Sequence, residues 1–275
     1  LLRAIASVSD QTYSNIEIIV ADDGSTDNTY NALLPLIKKG AIRYVKNEQA
    51  KGACSVRNLA INAAKGEFIT GLDDDDEFMP DRISVLMKHF VGSLYSCVTA
   101  SICERTPEGD VRRNFDAGDV TLNDLLHYDV LGNQVLTKTE HLRSIGGFDE
   151  SLPAFQDYDT WVRLVAAFGV GLKIADISYV LYAAHGKERI SENSVKRLAG
   201  YELFFAKHKS KMNKQHLNSM TLLKMRLTNS RYNVSQFFTL TNKGNFYGSL
   251  SYFINSNFLG LRRFFQRLRI KPFGS

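Results

Sequence analysis

Gly66-Glu67-Phe68-Ile69-Thr70-Gly71-Leu72-Asp73-Asp74-Asp75-Asp76-Glu77-Phe78-Met79-Pro80 is the stretch that decides the fold. Residues 67–72 have the short apolar run of a buried strand, and the four carboxylates that follow end it. Pro80 is preorganised for the first turn of a helix, which the pattern carries to about Phe90. Working upstream, a helix over 53–65 is stopped by Gly66. Residues 41–45 read as a strand. A helix capped by Thr26 or Asp27 runs to about Lys38. The β-branched run over 16–21 reads as another strand, ending in Asp22-Asp23-Gly24-Ser25, and residues 1–8 read as the later part of a helix. This alternation predicts a parallel, doubly wound α/β sheet, in which ligands bind beyond the carboxyl ends of the strands. Both acidic clusters fall at such ends. Downstream, mixed strands fill 94–138 around a helix at 121–128. A helix over 157–168 carries the only tryptophan, Trp161, and 172–183 is strand-like. From about Asn193 the pattern is helical, with breaks near Lys211, Asn229 and Lys243.

The length of 275 residues suits one large α/β domain with an appendage. Charged residues at 23% and apolar residues at 44% exclude a disordered or collagen-like chain. Cys54, Cys97 and Cys103 are scattered without the spacing of a disulfide framework or a zinc site, which fits a reducing cytoplasm. No apolar run approaches the roughly 18 residues that span a bilayer. Charge is unevenly spread. Residues 196–275 hold 15 Lys/Arg against the single acid Glu202, a balance of +14, whereas the preceding residues balance at −9. An acidic body (1–195) and a basic tail (196–275) are therefore expected. The tail can face anionic lipid, nucleic acid, an acidic partner, the acidic body, or only solvent.

Four adjacent carboxylates repel one another, and partial desolvation makes that costly unless a cation compensates or some protonate. All-oxygen donors suit Mg²⁺ or Mn²⁺, which bind through one or two carboxylates and substrate phosphates. A solvated acidic loop is the plainer alternative. Asp22 or Asp23 can accept hydrogen bonds from a base edge or a ribose, or can serve as ordinary turn residues.

The ordered set Gln11-Thr12-Tyr13, residues 17–27, Arg57-Asn58, residues 66–76 with Pro80, Gly146-Gly147-Phe148-Asp149-Glu150, and Gln156-Asp157 followed by Trp161 and Arg163 resembles glycosyltransferase family 2. The resemblance covers residues 1 to about 190 and implies the GT-A fold, a Rossmann-like mixed sheet, followed here by a C-terminal helical region. It implies that Asp22, Asp23, Arg57, Asp73 and Asp74 hold the nucleotide sugar. Asp75, with Asp73 and His185, would hold Mn²⁺ or Mg²⁺, though a lone surface histidine is an equal reading of His185. It makes Asp157 the catalytic base; a helix cap is the plainer role, and both can hold. Family members usually begin with a central strand upstream of the point where this chain starts, so the natural polypeptide is expected to extend beyond Leu1.

The resemblance further implies inverting transfer of a hexose or N-acetylhexosamine from a UDP-sugar to a glycan acceptor on lipid or protein. That would serve a bacterial surface polysaccharide or a glycoprotein glycan. A GDP- or dTDP-sugar donor and a catalytically inactive nucleotide-sugar-binding protein are the alternatives. A processive synthase is disfavoured by the lack of spans and of a Gln-x-x-Arg-Trp run. In the tail, Phe258, Leu261, Phe264, Phe265 and Leu268 share a helical face with arginines mostly elsewhere. Such a helix can lie on the inner face of the plasma membrane, or pack in a bundle or against another copy of the chain. Nucleic acid is not expected as a partner, since no recognised module accompanies the charge.

Overall fold

The computed structural model describes residues 1–258 apart from Val91, Ser93, Glu108, 114–116, Asn133 and 183–193. The elements run α1 (Leu2–Ser9), β1 (Ile19–Asp22), α2 (Thr29–Lys38), β2 (Arg43–Lys46), α3 (Ala53–Ala63), β3 (Phe68–Ile69), β4 (Glu77–Phe78) and α4 (Arg82–Phe90). They continue with β5 (Cys97–Thr106), β6 (Gly109–Arg113), β7 (Gly118–Val120), α5 (Leu122–Leu125), β8 (Leu136–Lys138), α6 (Thr139–Ser144), α7 (Gln156–Phe168) and β9 (Gly171–Tyr182). The tail supplies α8 (Ser194–His208), α9 (Lys214–Leu227), α10 (Val234–Leu240) and α11 (Phe246–Asn257), with a short 3₁₀ turn, Lys209–Lys211, after α8.

The sheet is mixed rather than parallel throughout. β1 and β2 pair in parallel as a unit of two, closed by Ile5, Val20, Leu33 and Ile42. The other strands form a seven-stranded sheet along the path β3-β8-β5-β9-β4, with β6 on β5 and β7 on β9. Among the described residues of that sheet only β5 and β9 run parallel. The strand expected over 67–72 shrinks to Phe68–Ile69, because its antiparallel partner β8 begins only at Leu136 and a Gly-Leu-Asp run follows Thr70. β3 and β4 sit at opposite ends of that path, so residues 70–76 carry the acidic run across the ends of the strands between them.

The basic tail shares a core with the body. Tyr158, Trp161 and Leu164 of α7 lie in one apolar cluster with Tyr201 and Phe204 of α8 and Met220 and Leu227 of α9. Tyr158 stacks on Phe204 at 4.2 Å between ring centroids. Gly200 permits the approach of α8, because a Cβ there would lie 2.6 Å from the Ala154 carbonyl oxygen. Beyond α9, Tyr232, Phe237 and Phe253 form a separate aromatic contact joining α10 and α11. The expected boundary near residue 195 adjoins residues 183–193, and the amphipathic segment over 258–268 lies outside the described residues except for Phe258.

Candidate active site

The acidic run is not a set of four equivalent carboxylates. Asp76 turns inward and is buried, accepting hydrogen bonds from Tyr179 Oη at 2.8 Å and the Tyr182 amide at 2.9 Å. Burial pushes its carboxyl up to about 6, against those two donors. Asp73 faces the other way, and its Oδ1 accepts from the Arg57 guanidinium at 2.8 Å. Asp74 and Asp75 are exposed, and their carboxylates make no hydrogen bond or ion pair among the described residues. The Asp75 carbonyl is held by Arg3, which also pairs with Glu77 at 2.6 Å.

Arg57 unites the site. It projects from α3 and uses its fork on two carboxylates from distant parts of the chain, Asp73 and Asp157, the second at 3.0 Å. Its guanidinium also lies 5.3 Å from the centre of the Phe148 ring. The adjacent Asn58 exchanges two hydrogen bonds with the Phe148 backbone, at 2.8 and 2.9 Å. Gly147 is required at that crossing: its φ is 68°, and a Cβ would meet Asn58 Oδ1 at 2.3 Å. The Arg57-Asn58 pair thus joins three of the sequence motifs at one place.

Asp157 stands in the first turn of α7, and its side chain retains 29% exposure. Burial pushes its carboxyl up to about 7; Arg57 opposes this, and the neighbouring charges of Asp73 and Asp129 add to it. A carboxylate poised near neutrality can take a proton from a hydroxyl. The helix begins in an unusual way, since Phe155 has a φ of 66° and no side-chain cap serves α7. A left-handed non-glycine residue of this kind costs on the order of 1–2 kcal/mol. Contacts of its ring with Tyr201 and Phe204 of α8 hold it there.

Asp22 and Asp23 lie at the carboxyl end of β1. Asp22 is buried and accepts from the Ser25 amide at 2.7 Å and from Tyr44 Oη. Asp23 accepts from Asn47 Nδ2 and the Lys51 amide, both at 2.9 Å, and from the Gly52 amide at 2.7 Å. Burial raises both carboxyls, but these donors outweigh it and hold each below the ordinary value. The pair therefore shapes the loop that leads into α3, with Arg57 further along the same helix.

Among the described residues no three His, Cys, Asp or Glu side chains gather closely enough to hold a metal by themselves. A divalent ion still fits the donor chemistry at Asp73 and Asp75, which offer hard oxygens from one turn and leave room for water and phosphate oxygens. His185 lies outside the described residues. Several residues that build the site carried no local signal: Tyr44, Asp129, Tyr179, Lys207 and His208 meet their acidic partners only through the fold.

Residues 1–144 match Glycosyl transferase family 2. The putative colanic acid biosynthesis glycosyl transferase WcaA of Escherichia coli K12 is 34% identical over 223 residues, 78% of either chain. A shorter match, 45% identical over 84 residues, covers 30% of this chain and 33% of the E. coli UDP-Glc:alpha-D-GlcNAc-diphosphoundecaprenol beta-1,3-glucosyltransferase WfaP. Among solved structures, S. aureus TarS 1–349 in complex with UDP-GlcNAc superposes with a TM-score of 0.65 at 18% identity, covering 93% of this chain and 75% of that one. The mannosyltransferase PcManGT of Pyrobaculum calidifontis, in complex with GDP-Man and Mn²⁺, superposes with a TM-score of 0.58 at 17% identity, covering 96% and 73%. These likenesses agree with the expected GT-A architecture and its C-terminal helices. With more than half of its length matched by the family and a relative of this identity along most of both sequences, the chain belongs to glycosyltransferase family 2 and is a glycosyltransferase.

Proposed function

We propose that the enzyme inverts the anomeric centre of a UDP-hexose or UDP-N-acetylhexosamine while transferring the sugar to a hydroxyl of a growing bacterial surface glycan. The observation that carries this reading is the Arg57 bridge, which fixes Asp73 and Asp157 on one guanidinium. Asp73 belongs to the turn suited to a nucleotide diphosphate, and Asp157 is the carboxylate poised near neutrality. One hydroxyl can therefore approach the base while the donor lies against the acidic turn. The similarity to WcaA and WfaP supports a glycan-assembly role, and the activity for which WfaP is named supports a UDP-sugar donor and a lipid-diphosphate acceptor.

Asp157 takes the proton of the acceptor hydroxyl as the hydroxyl oxygen bonds to the anomeric carbon from the face opposite the nucleotide, and the bond from that carbon to the diphosphate oxygen breaks so that UDP leaves with the electron pair. Arg57 keeps the base oriented and offsets part of the negative charge gathered there. Asp22 and Asp23 hold the loop beside the nucleotide in shape. A divalent cation held by Asp75 and Asp73 would supply Lewis-acid neutralisation of the diphosphate. Among the described residues no helix is long and apolar enough to cross a membrane. The basic tail is then the part suited to an anionic lipid surface bearing the acceptor.

Nucleotide release from a panel of UDP-, GDP- and dTDP-sugars, with and without Mn²⁺, tests the proposal. UDP release that requires the cation supports it. Cation-independent release, consumption of only GDP- or dTDP-sugars, or no consumption of any donor overturns it.

A further inference from the structure

The Gln11-Thr12-Tyr13 motif has no part in the site described above, yet it grips the exit of the acidic turn. The Gln11 carboxamide donates to the Met79 carbonyl at 2.7 Å, and its oxygen accepts from the Ile83 amide at 3.0 Å. The Thr12 amide donates to the Pro80 carbonyl at 2.9 Å. On the preceding helix, Ser7 Oγ accepts from the Phe78 amide at 3.1 Å. These bonds seat α1 against residues 78–83, directly after the run of carboxylates.

Arg3, in the first turn of α1, extends that grip into the run itself. Its Nη2 donates to the Asp75 carbonyl, and its Nε pairs with Glu77 at 2.6 Å. The same guanidinium lies 3.8 Å from the centre of the Tyr182 ring. The Tyr182 amide donates to Asp76 at 2.9 Å, and the Tyr182 hydroxyl accepts from Arg105 at 3.0 Å. One guanidinium therefore spans Asp75 and Glu77 while resting on the residue that holds Asp76 between them. With Arg57 on Asp73, the turn is fixed on both sides of the two outward carboxylates, Asp74 and Asp75. The Arg3 side chain is nevertheless 52% exposed. An ion pair so open to solvent adds little to overall stability. What its three contacts do fix is the path of the chain through Asp75.

We propose that Arg3 is a positioning residue for donor binding, which holds the Asp75 carbonyl so that the Asp75 carboxylate is preset for a divalent cation and the diphosphate it accompanies. The inference rests on the function proposed above and deepens it. A peptide whose carbonyl is held cannot swing, so the side chain it carries keeps one direction without the ligand and loses less freedom when the ligand arrives. The guanidinium also offsets part of the repulsion among the adjacent acids, which would otherwise splay the turn. Lysine cannot replace it, since one ammonium lacks the planar edge that serves Asp75 and Glu77 together and the flat face that lies on Tyr182.

The test compares wild type with Arg3→Gln and Arg3→Lys by calorimetric titration of UDP with and without Mn²⁺, alongside thermal unfolding. The expected result for Arg3→Gln is a loss of about tenfold in UDP affinity with Mn²⁺ and none without it, which is what one charge-assisted hydrogen bond supplies. The donor KM should rise by a similar factor while kcat changes little, because Arg3 makes no contact with Asp157. Arg3→Lys should recover only part of the loss. An unchanged Mn²⁺-dependent affinity in folded Arg3→Gln, an equal loss with and without Mn²⁺, or full rescue by lysine overturns the assignment while leaving the transferase reading intact. A wild-type enzyme that binds UDP equally with and without Mn²⁺ defeats the cation reading and this inference together. Should neither variant fold, a structure of the wild-type enzyme with UDP and Mn²⁺ decides. Arg3 on the Asp75 carbonyl, with the Asp75 carboxylate on the ion, supports the proposal; an Asp75 carboxylate turned away from the ion overturns it.

Discussion

His208 Nε2, on the first helix of the tail, lies 2.8 Å from Asp159 Oδ1, two positions along α7 from the proposed base Asp157. Both side chains are almost wholly enclosed, and Lys207 and Arg163 complete the shell around the same carboxylate at 2.9 and 2.8 Å. Lys207 also reaches Asp149 at 2.6 Å, tying the Gly146–Glu150 loop to α7. Burial alone would raise the Asp159 carboxyl, but the imidazole and the two cations hold it below the ordinary value.

Asp159→Asn is therefore expected to destabilise the protein by about 1–3 kcal/mol, because it removes the enclosed carboxylate on which Arg163, Lys207 and His208 converge. Lys207→Met, which leaves Arg163 and His208 in place, should cost less. Urea unfolding of the two variants measures the difference; equal losses would show that the cluster is not organised around Asp159.

The Asp157 carboxyl sits near 7 in the free protein. Turnover at low donor concentration should fall about tenfold per pH unit below that value, since Asp157 must be ionised to act as the proposed base. The sign for stability is opposite. A carboxyl whose folded value lies above its unfolded one favours the fold least where it is ionised, so its unfavourable contribution grows from about pH 4 and is complete above about pH 7. Asp157→Asn should thus remove most turnover, leave UDP binding, and melt higher than wild type at pH 8 by an amount on the order of 1–3 kcal/mol. Calorimetry at pH 5 and pH 8 checks the crossover.

Arg57→Lys keeps a charge but loses the fork that serves Asp73 and Asp157 together. The expected outcome is a fall in kcat of about 100-fold and an acidic limb displaced to higher pH, because Arg57 is the group that lowers the Asp157 carboxyl. A pH–rate profile of the variant reads both effects. An unmoved limb would separate Arg57 from the base.

Tyr179→Phe removes a donor from buried Asp76 and loosens the turn bearing Asp73 and Asp75. A stability loss of about 1–3 kcal/mol should accompany it. UDP binding in the presence of Mn²⁺ should weaken by about tenfold, with binding in its absence little changed. Isothermal titration with and without the cation measures this.

Much of the chain could be read locally. The β-branched run before Asp22, the Pro80 helix start and the periodicity of α7 each depend on neighbours close in sequence, and each element lies near its expected place. The partition of 73–76 could not be read in that way. Four identical side chains carry no clue to which one turns inward, and the choice is made by Tyr179 and Tyr182 on a strand more than 100 residues away. The Lys207–His208 contribution was hidden for the same reason, since a basic pair near a helix end looks like solvated charge until α8 packs on α7. The mixed sheet likewise follows from β8, whose three residues give little periodicity to recognise.

The crossing of Gly200 over Ala154 has a consequence for how such a tail can diversify. There the two segments meet main chain to main chain, so any added methyl must lever α8 away and disturb the entry to the neighbouring helix. Sequence drift in the outer helices can remodel the surface of the tail, yet it must leave this one close crossing in place. An enzyme of this design can vary its outer helices without moving the helix that carries Asp157.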